Sequence, residues 1–221
     1  MKRFIPVAVF AAIFFAALSG YLFLEVRLQN TLDKTRKQLI EIASSAALNV
    51  TADEVFNIPL NQWSEGTPEY MEVYRKLEQV KAANPGVKYA YIMTTTIQPG
   101  ILQYVVDADP LPEIMTGHSP TALPGDKYDA RSRPEMLAAY NGPAADEKII
   151  PDAWGIFISA YAPIRDIDGR TAAILGVDTD AAAILKLQKT SRGAGKIALI
   201  AGVLFLGSLL TLIKLPNRPV S

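Results

Sequence analysis

The sequence contains no cysteine and a single histidine, His118. A disulfide framework and a thiolate metal site are thereby excluded, and a histidine-rich metal site with them. Neither sign of charge is in excess, with 22 basic and 22 acidic side chains. No basic field or basic–aromatic stripe is present, so nucleic acid is not an expected partner. Also missing are a Gly-x-Ser-x-Gly elbow, a phosphate loop and a metalloprotease helix. No internal repeat or low-complexity tract occurs. With no nucleophile–base pair to name, the chain is not expected to be an enzyme, and no cofactor is implied. A hydrolase is the remotest of the functional readings.

Half of the 221 residues are apolar, and they are unevenly spread. Phe4 to Leu24 is a run of 21 uncharged residues and Ile197 to Ile213 a run of 17. A bilayer core takes about 20 residues as helix, with roughly 17–25 tolerated. The first run continues past Ser19 through Tyr21, Leu22, Phe23 and Leu24, longer than the apolar region of a cleaved signal peptide, so it is read as an anchor. The second is read as a span whose flanking Lys196 and Lys214 snorkel outward. Lys2 and Arg3 precede the first run without an acidic neighbour, which predicts a cytoplasmic N-terminus. Lys186, Lys189, Arg192 and Lys196 oppose this at the second span, but long translocated segments obey the charge rule weakly. The expected organisation is a cytoplasmic end and first span at 1–24, an extracytoplasmic domain at 25–195, a second span at 196–214 and a cytoplasmic tail at 215–221. The central segment carries 17 basic and 22 acidic groups. It is long enough to bury a core.

Within it, Leu28, Leu32, Thr35, Leu39, Ile42, Ala46 and Val50 recur at spacings of three and four, the apolar face of a long helix. Thr51 and Glu54 form a capping box. Pro68 to Ala83 reads as another helix, ended by Asn84-Pro85-Gly86. Val87, Tyr89, Tyr91 and Met93 alternate along a strand, and Ile101 to Val106 makes a second, joined through Gln98-Pro99-Gly100. Residues 107–150 are mostly turn chemistry around a short helix at Pro134–Tyr140. Strands are expected at Trp154–Ile164 and Arg170–Val177, about a turn at Asp166-Ile167-Asp168-Gly169. A last helix, Ala181 to Arg192, leads through Gly193-Ala194-Gly195 to the second span.

Several of these segments carry a family likeness. VKYAYIMT, YVVDADP (Tyr104–Pro110), PGDKYD (Pro124–Asp129), DAWGIFISAYAPIRDIDGR (Asp152–Arg170) and AILGVDTDA (Ala173–Ala181) resemble extracytoplasmic Cache sensor domains, also called PDC or PAS-like sensors. These stand between two membrane helices in bacterial histidine kinases, chemoreceptors and diguanylate or adenylate cyclases. The resemblance covers roughly residues 25–192. It implies an α+β fold, a single PAS-like domain with a long N-terminal helix and an antiparallel sheet. It also implies a small-molecule pocket on one sheet face under the 107–150 segment, a homodimer, and a signalling partner or output domain. With only 215–221 expected in the cytoplasm, no output domain is expected within these 221 residues, a departure from those receptors. The chain also lacks, around Trp154, the arginine–tryptophan–tyrosine run of the amino-acid-binding subgroup.

The site candidates follow from strand arithmetic. Asp178 shares a face with Ala172, Ile174 and Gly176, small enough to leave room beside it. Phe157, Ser159 and Tyr161 share a face of the preceding strand, with Trp154 on the other. Tyr91 and Tyr104 sit on the first two strands and Tyr128 follows them. Asp178, Tyr161, Tyr128, Trp154, Tyr104 and Tyr91 are thus the candidate ligand-binding residues, since an aromatic cavity with a few polar groups is what a small ligand requires. Asp178 has a second reading, as the cap of the helix starting near Ala181. An aspartate beside tyrosines favours a cationic or hydrogen-bond-donating ligand. Asp107, Asp109, Asp126 and Asp129 could in principle gather around a metal, but such residues more often cap turns. The loop beginning at Asp166 lacks the glutamate of a calcium loop, having Val177 in its place, and no metal site is expected. A membrane-tethered scaffold that displays a ligand-free domain to a protein partner is the rival reading; a packed sheet face without a cavity would favour it.

Overall fold

The structure is a computed structural model, and it describes residues 5–108, 122–151 and 155–214. It divides into two compact units, one of residues 34–182 and one formed by 1–33 with 183–221. In chain order the helices are α1 (Ile5–Ala47), α2 (Ala52–Phe56), α3 (Pro68–Ala83), α4 (Pro134–Ala138) and α5 (Ala182–Lys214). The strands are β1 (Val87–Thr95), β2 (Ile101–Asp107), β3 (Lys127–Asp129), β4 (Ala144–Ala145), β5 (Phe157–Arg165) and β6 (Thr171–Asp180).

In the 34–182 unit the six strands form one antiparallel sheet in the order β3-β2-β1-β6-β5-β4. Local chemistry sets the joints. The Thr51–Glu54 capping box opens α2, and Thr67 caps α3 with Pro68 in its first turn. The Asp166 carboxylate accepts from the N–H groups of Asp168 and Arg170, closing the β5–β6 hairpin with Gly169 at φ 78°. The sheet is buried on both faces. On the back, Ala90, Ile92, Ile158, Ala160, Leu175 and Val177 are fully buried, and α3 packs on β1 and β2 with Val73 and Leu77 equally buried. On the front, Tyr91, Met93, Leu102, Tyr104, Tyr161 and Ile174 cluster with Ala130, Met136 and Ala139 from the α4 region.

Three boundaries differ from the sequence reading. β5 starts at Phe157; Trp154 lies outside the described residues, as do Asp109 and His118. β6 runs on to Asp180 because β1 and β5 flank it, pairing Tyr89 with Asp178 and Phe157 with Asp180, and two-sided pairing overrides the polar Asp-Thr-Asp sequence. α5 is uninterrupted across Gly193-Ala194-Gly195. A helical glycine costs only about 1 kcal/mol relative to alanine, too little to break a helix supported by packing.

That packing lies within the second unit. Val7, Phe10, Phe14, Ala17, Tyr21 and Leu24 recur at three and four and are the half-buried face of α1, a heptad-like seam. Phe14 stacks on Phe205 with centroids 5.8 Å apart. A Cβ at Gly195 would stand 3.1 Å from the Tyr21 ring, and one at Gly202 3.0 Å from that of Phe14. An added methyl at either place would have to displace the facing ring by a few tenths of an ångström. Both helices contain an apolar stretch long enough to cross a membrane. Ala8, Ala12, Ala16 and Gly20 form a separate, exposed stripe, and nothing lies within 4 Å of a Cβ placed on Gly20. Within this unit α5 thus meets α1 at its aromatic seam.

Candidate functional site

The front face of the sheet carries a cavity of about 40 Å³ lined by Tyr89, Tyr91, Tyr104, Asp107, Tyr128, Arg133, Met136, Phe157, Ser159, Tyr161 and Asp178. Five of the six candidate residues come together there. Trp154, the sixth, falls outside the described residues. Gly176 of β6 lets Tyr91 take its place in the wall: a Cβ there would come within 2.4 Å of the Tyr91 ring. Tyr91 lies flat across that gap, and its hydroxyl donates to Asp178 Oδ1 at 3.1 Å.

Of the two readings of Asp178, the structure gives the cap to its neighbour Asp180. The Asp180 carboxylate accepts from the Ala182 N–H at 2.7 Å, at the start of α5. Asp178, two residues earlier and only 9% exposed, is turned to the cavity. The cap reading therefore passes to Asp180.

Three functional-looking neighbours were not foreseen as site residues. Asp107 reaches the front face through a β-bulge: Ile92 pairs with Val106 but Met93 with Tyr104, leaving Val105 as the extra residue. The bulge turns Tyr104 and Asp107, an odd number of residues apart, to the same side. Strict alternation would have separated them. Arg133 is the N-cap residue of α4 and Asp146 follows β4, so only the tertiary fold brings them to the sheet. Arg133 Nη1 lies 3.5 Å from Asp146 Oδ2, both side chains being nearly inaccessible. Asp146 also accepts from the Tyr161 hydroxyl at 3.1 Å and the Ser159 N–H at 3.2 Å.

The electrostatics are acidic. Asp107, Asp146 and Asp178 lie in or behind the cavity wall against one arginine. Burial pushes the Asp146 carboxyl up to about 6, with Arg133 pulling the other way. Burial, reinforced by the neighbouring aspartates, holds the Tyr91 and Tyr161 hydroxyls well above the ordinary phenol range, so both remain donors at neutral pH. The rings meet edge to face: Tyr91 on Tyr104 at 5.9 Å, Tyr104 on Tyr128 at 6.4 Å and Tyr89 on Phe157 at 5.1 Å. Such a site can hold a small group that presents positive charge or N–H donors to carboxylates and rings. Among the described residues, no three His, Cys, Asp or Glu side chains gather as metal ligands. Asp126 and Asp129 instead accept from the N–H groups of Leu123 and Arg131, and Asp107 from that of Ala122.

No protein-family profile matches the sequence, and no curated protein matches it. Solved structures do match. The sensor domain of the Vibrio cholerae histidine kinase DctB superposes with a TM-score of 0.53 at 14% identity, covering 80% of this chain and 60% of that one. The ligand-binding domain of the Campylobacter jejuni chemoreceptor Tlp3, in complex with 4-methylisoleucine, gives 0.46 at 14% identity over 79% of this chain and 63% of that one. That of the Pseudomonas fluorescens chemoreceptor CtaA, in complex with L-alanine, gives 0.42 at 20% over 77% and 63%. The chain thus spans about three fifths of the length of these sensor domains. A long leading helix, a six-stranded antiparallel sheet and a closing helix, superposing on the DctB sensor domain, give this chain the fold of the Cache sensor domains that its sequence resembles.

Proposed function

We propose that the protein is a two-pass membrane sensor whose 25–195 segment binds a small extracytoplasmic solute. One observation carries the reading: Asp178, Tyr91 and Tyr161 converge on a cavity in the front of a sensor-type sheet. A scaffold displaying a ligand-free domain has no use for buried carboxylates around a void. The acid excess favours a solute with an ammonium or other N–H-rich group over an anion. Its entry would shift one membrane-proximal helix against another by about 1–2 Å, the usual scale of such signalling. Output then belongs to a membrane partner or to a domain outside this sequence.

The test is a thermal-shift screen of the chain against small amines, amides and carboxylates, followed by titration of the best binder. Asp178→Ala should remove a charge-assisted hydrogen bond and weaken binding roughly ten- to a hundredfold. A lowered melting temperature with an unchanged Kd would remove Asp178 from the site.

The same reading makes residues 1–24 a cytoplasmic N-terminus and first inner-membrane helix, 196–214 the second helix and 215–221 a cytoplasmic tail. Reporter fusions after Arg192 should report the outer side and fusions after Ser221 the inner. The exposed Ala8, Ala12, Ala16 and Gly20 stripe suits close pairing with a second copy, as small residues allow backbones to approach. Cysteines at Ala12 and Ala16 should then cross-link between copies in native membranes. Monomers that stay uncross-linked under conditions that oxidise a control pair would sink the dimer.

A further inference from the structure

Asp146 faces two ways. Its carboxylate stands behind the cavity wall, receiving the hydroxyl of Tyr161 and the N–H of Ser159 and pairing with Arg133, three residues that line the cavity. Its backbone belongs to α1: Arg36 Nε donates to the Asp146 carbonyl at 2.9 Å, and Arg36 Nη2 to the Glu147 carbonyl. One residue thus joins the cavity to a helix 110 positions away in sequence. The strand preceding it, β4, is only two residues long and pairs on one side, with Tyr161 and Ala160.

We propose that the Asp146 carboxylate is a proton-binding site whose occupancy is transmitted to α1 through Arg36, which makes the proton a second input to the protein. When Asp146 is charged, Arg133 is held against it by an ion pair in a nearly water-free setting, where attraction is little screened. When Asp146 takes up a proton from solvent, that pull is gone. Arg133, which lines the cavity, then keeps its hydrogen bond to the Ile150 carbonyl at 2.9 Å but is no longer drawn to a charged Asp146. The neutral carboxyl gains an O–H donor that must find a new acceptor, and the short strap carrying the 146 and 147 carbonyls readjusts beneath Arg36.

The groups around the carboxylate set its titration. Arg133, just before α4, opposes protonation; Glu135 in α4 favours it. From β5, Tyr161 stabilises the charged form with its hydroxyl, and Asp178 from β6 acts on that same tyrosine. Arg36, from α1, contacts the backbone carbonyl. Burial outweighs the rest and puts the transition at about pH 6. This device needs no organic ligand, so it stands apart from the receptor reading, although Arg133, Ser159 and Tyr161 both contact Asp146 and line the cavity.

The experiment uses the full chain in lipid nanodiscs with spin labels at Gln38 on α1 and Lys127 on β3, both exposed. Distance distributions are compared at pH 7.5 and 5.0, and carboxyl infrared bands follow protonation directly. The expected result is a displacement of about 1–2 Å with a midpoint near pH 6, accompanied by a carboxyl band that Asp146→Asn removes. Asp146→Asn should show the acid-side distance at both pH values. Arg36→Gln should keep the carboxyl band and lose the displacement; being half-buried on a helix, it also serves if the Asn variant does not fold. A displacement that persists in either variant, or a carboxyl that protonates with no displacement in the native chain, would overturn the proposal. Neither result touches the Asp178→Ala affinity test, so the two readings fail separately.

Discussion

Replacing Arg133 with alanine should destabilise the protein by about 3–5 kcal/mol at pH 7.5, the usual cost of stripping one partner from a buried ion pair. The pair is unusually well hidden, its side chains being only 6% and 2% exposed. What remains in the variant is a buried carboxylate with one fewer cation beside it. The effect should depend on pH in a definite direction. In the native fold burial raises Asp146 to about 6 from its ordinary 3.8. A raised carboxyl binds its proton more readily folded than unfolded. Its contribution to stability is therefore full below pH 4 and lost as pH rises through 6, a change on the order of 3 kcal/mol. Without Arg133 the folded carboxyl rises further, so the loss on alkalinisation grows. The penalty of Arg133→Ala should accordingly shrink between pH 7.5 and pH 5, towards the smaller loss of packing and of the Ile150 hydrogen bond. Urea unfolding of both proteins at the two pH values measures it. An equal penalty at both would mean that the ion pair contributes nothing beyond the arginine's bulk.

The contrast between these buried charges and the rest of the fold explains what sequence reading can reach. Elements whose signal is local were legible: the Pro68–Ala83 helix with its proline start and Asn-Pro-Gly stop, the Thr51–Glu54 box and the Asp166–Gly169 turn all depend on neighbours within a few residues. Period-two alternation likewise put Phe157, Ser159 and Tyr161 on one face and Asp178 on the face of Gly176. Non-local facts were not legible. The Val105 bulge inverts the alternation of β2 and has no marker in Tyr-Val-Val-Asp. Arg133 and Asp146 stand in a stretch that reads as turns, 13 residues apart, and their pairing is decided by where β4 docks on β5. Asp180 against Asp178 shows the limit most sharply. Both precede a helix, and only the extension of β6 by two-sided pairing decides which aspartate caps and which enters the cavity.

Tyr161→Ala should cost about 3–5 kcal/mol, as for other large aromatic truncations. Tyr161 is 1% exposed, packs within the front cluster and donates to Asp146. Two effects are mixed in that figure, and Tyr161→Phe separates them. The phenylalanine keeps the ring and leaves Asp146 Oδ1 without its hydroxyl donor, a loss of about 1–3 kcal/mol. The remainder belongs to the void. Emptying a ring from a site beside a cavity of about 40 Å³ should produce a pocket approaching the ~150 Å³ class that binds benzene when dry. Phenol matches what was removed, ring and donor together. At about 100 times its Kd it should return about 2.7 kcal/mol to the alanine variant, by mass action on the folded state. Benzene should return less, since it offers Asp146 no proton, and Tyr161→Phe should respond to neither. Calorimetric melting of the three proteins with and without each compound supplies the comparison. If phenol raised the native protein's melting temperature as much as the variant's, it would be binding elsewhere, and the wall assigned to Tyr161 would not be the one that closes the cavity.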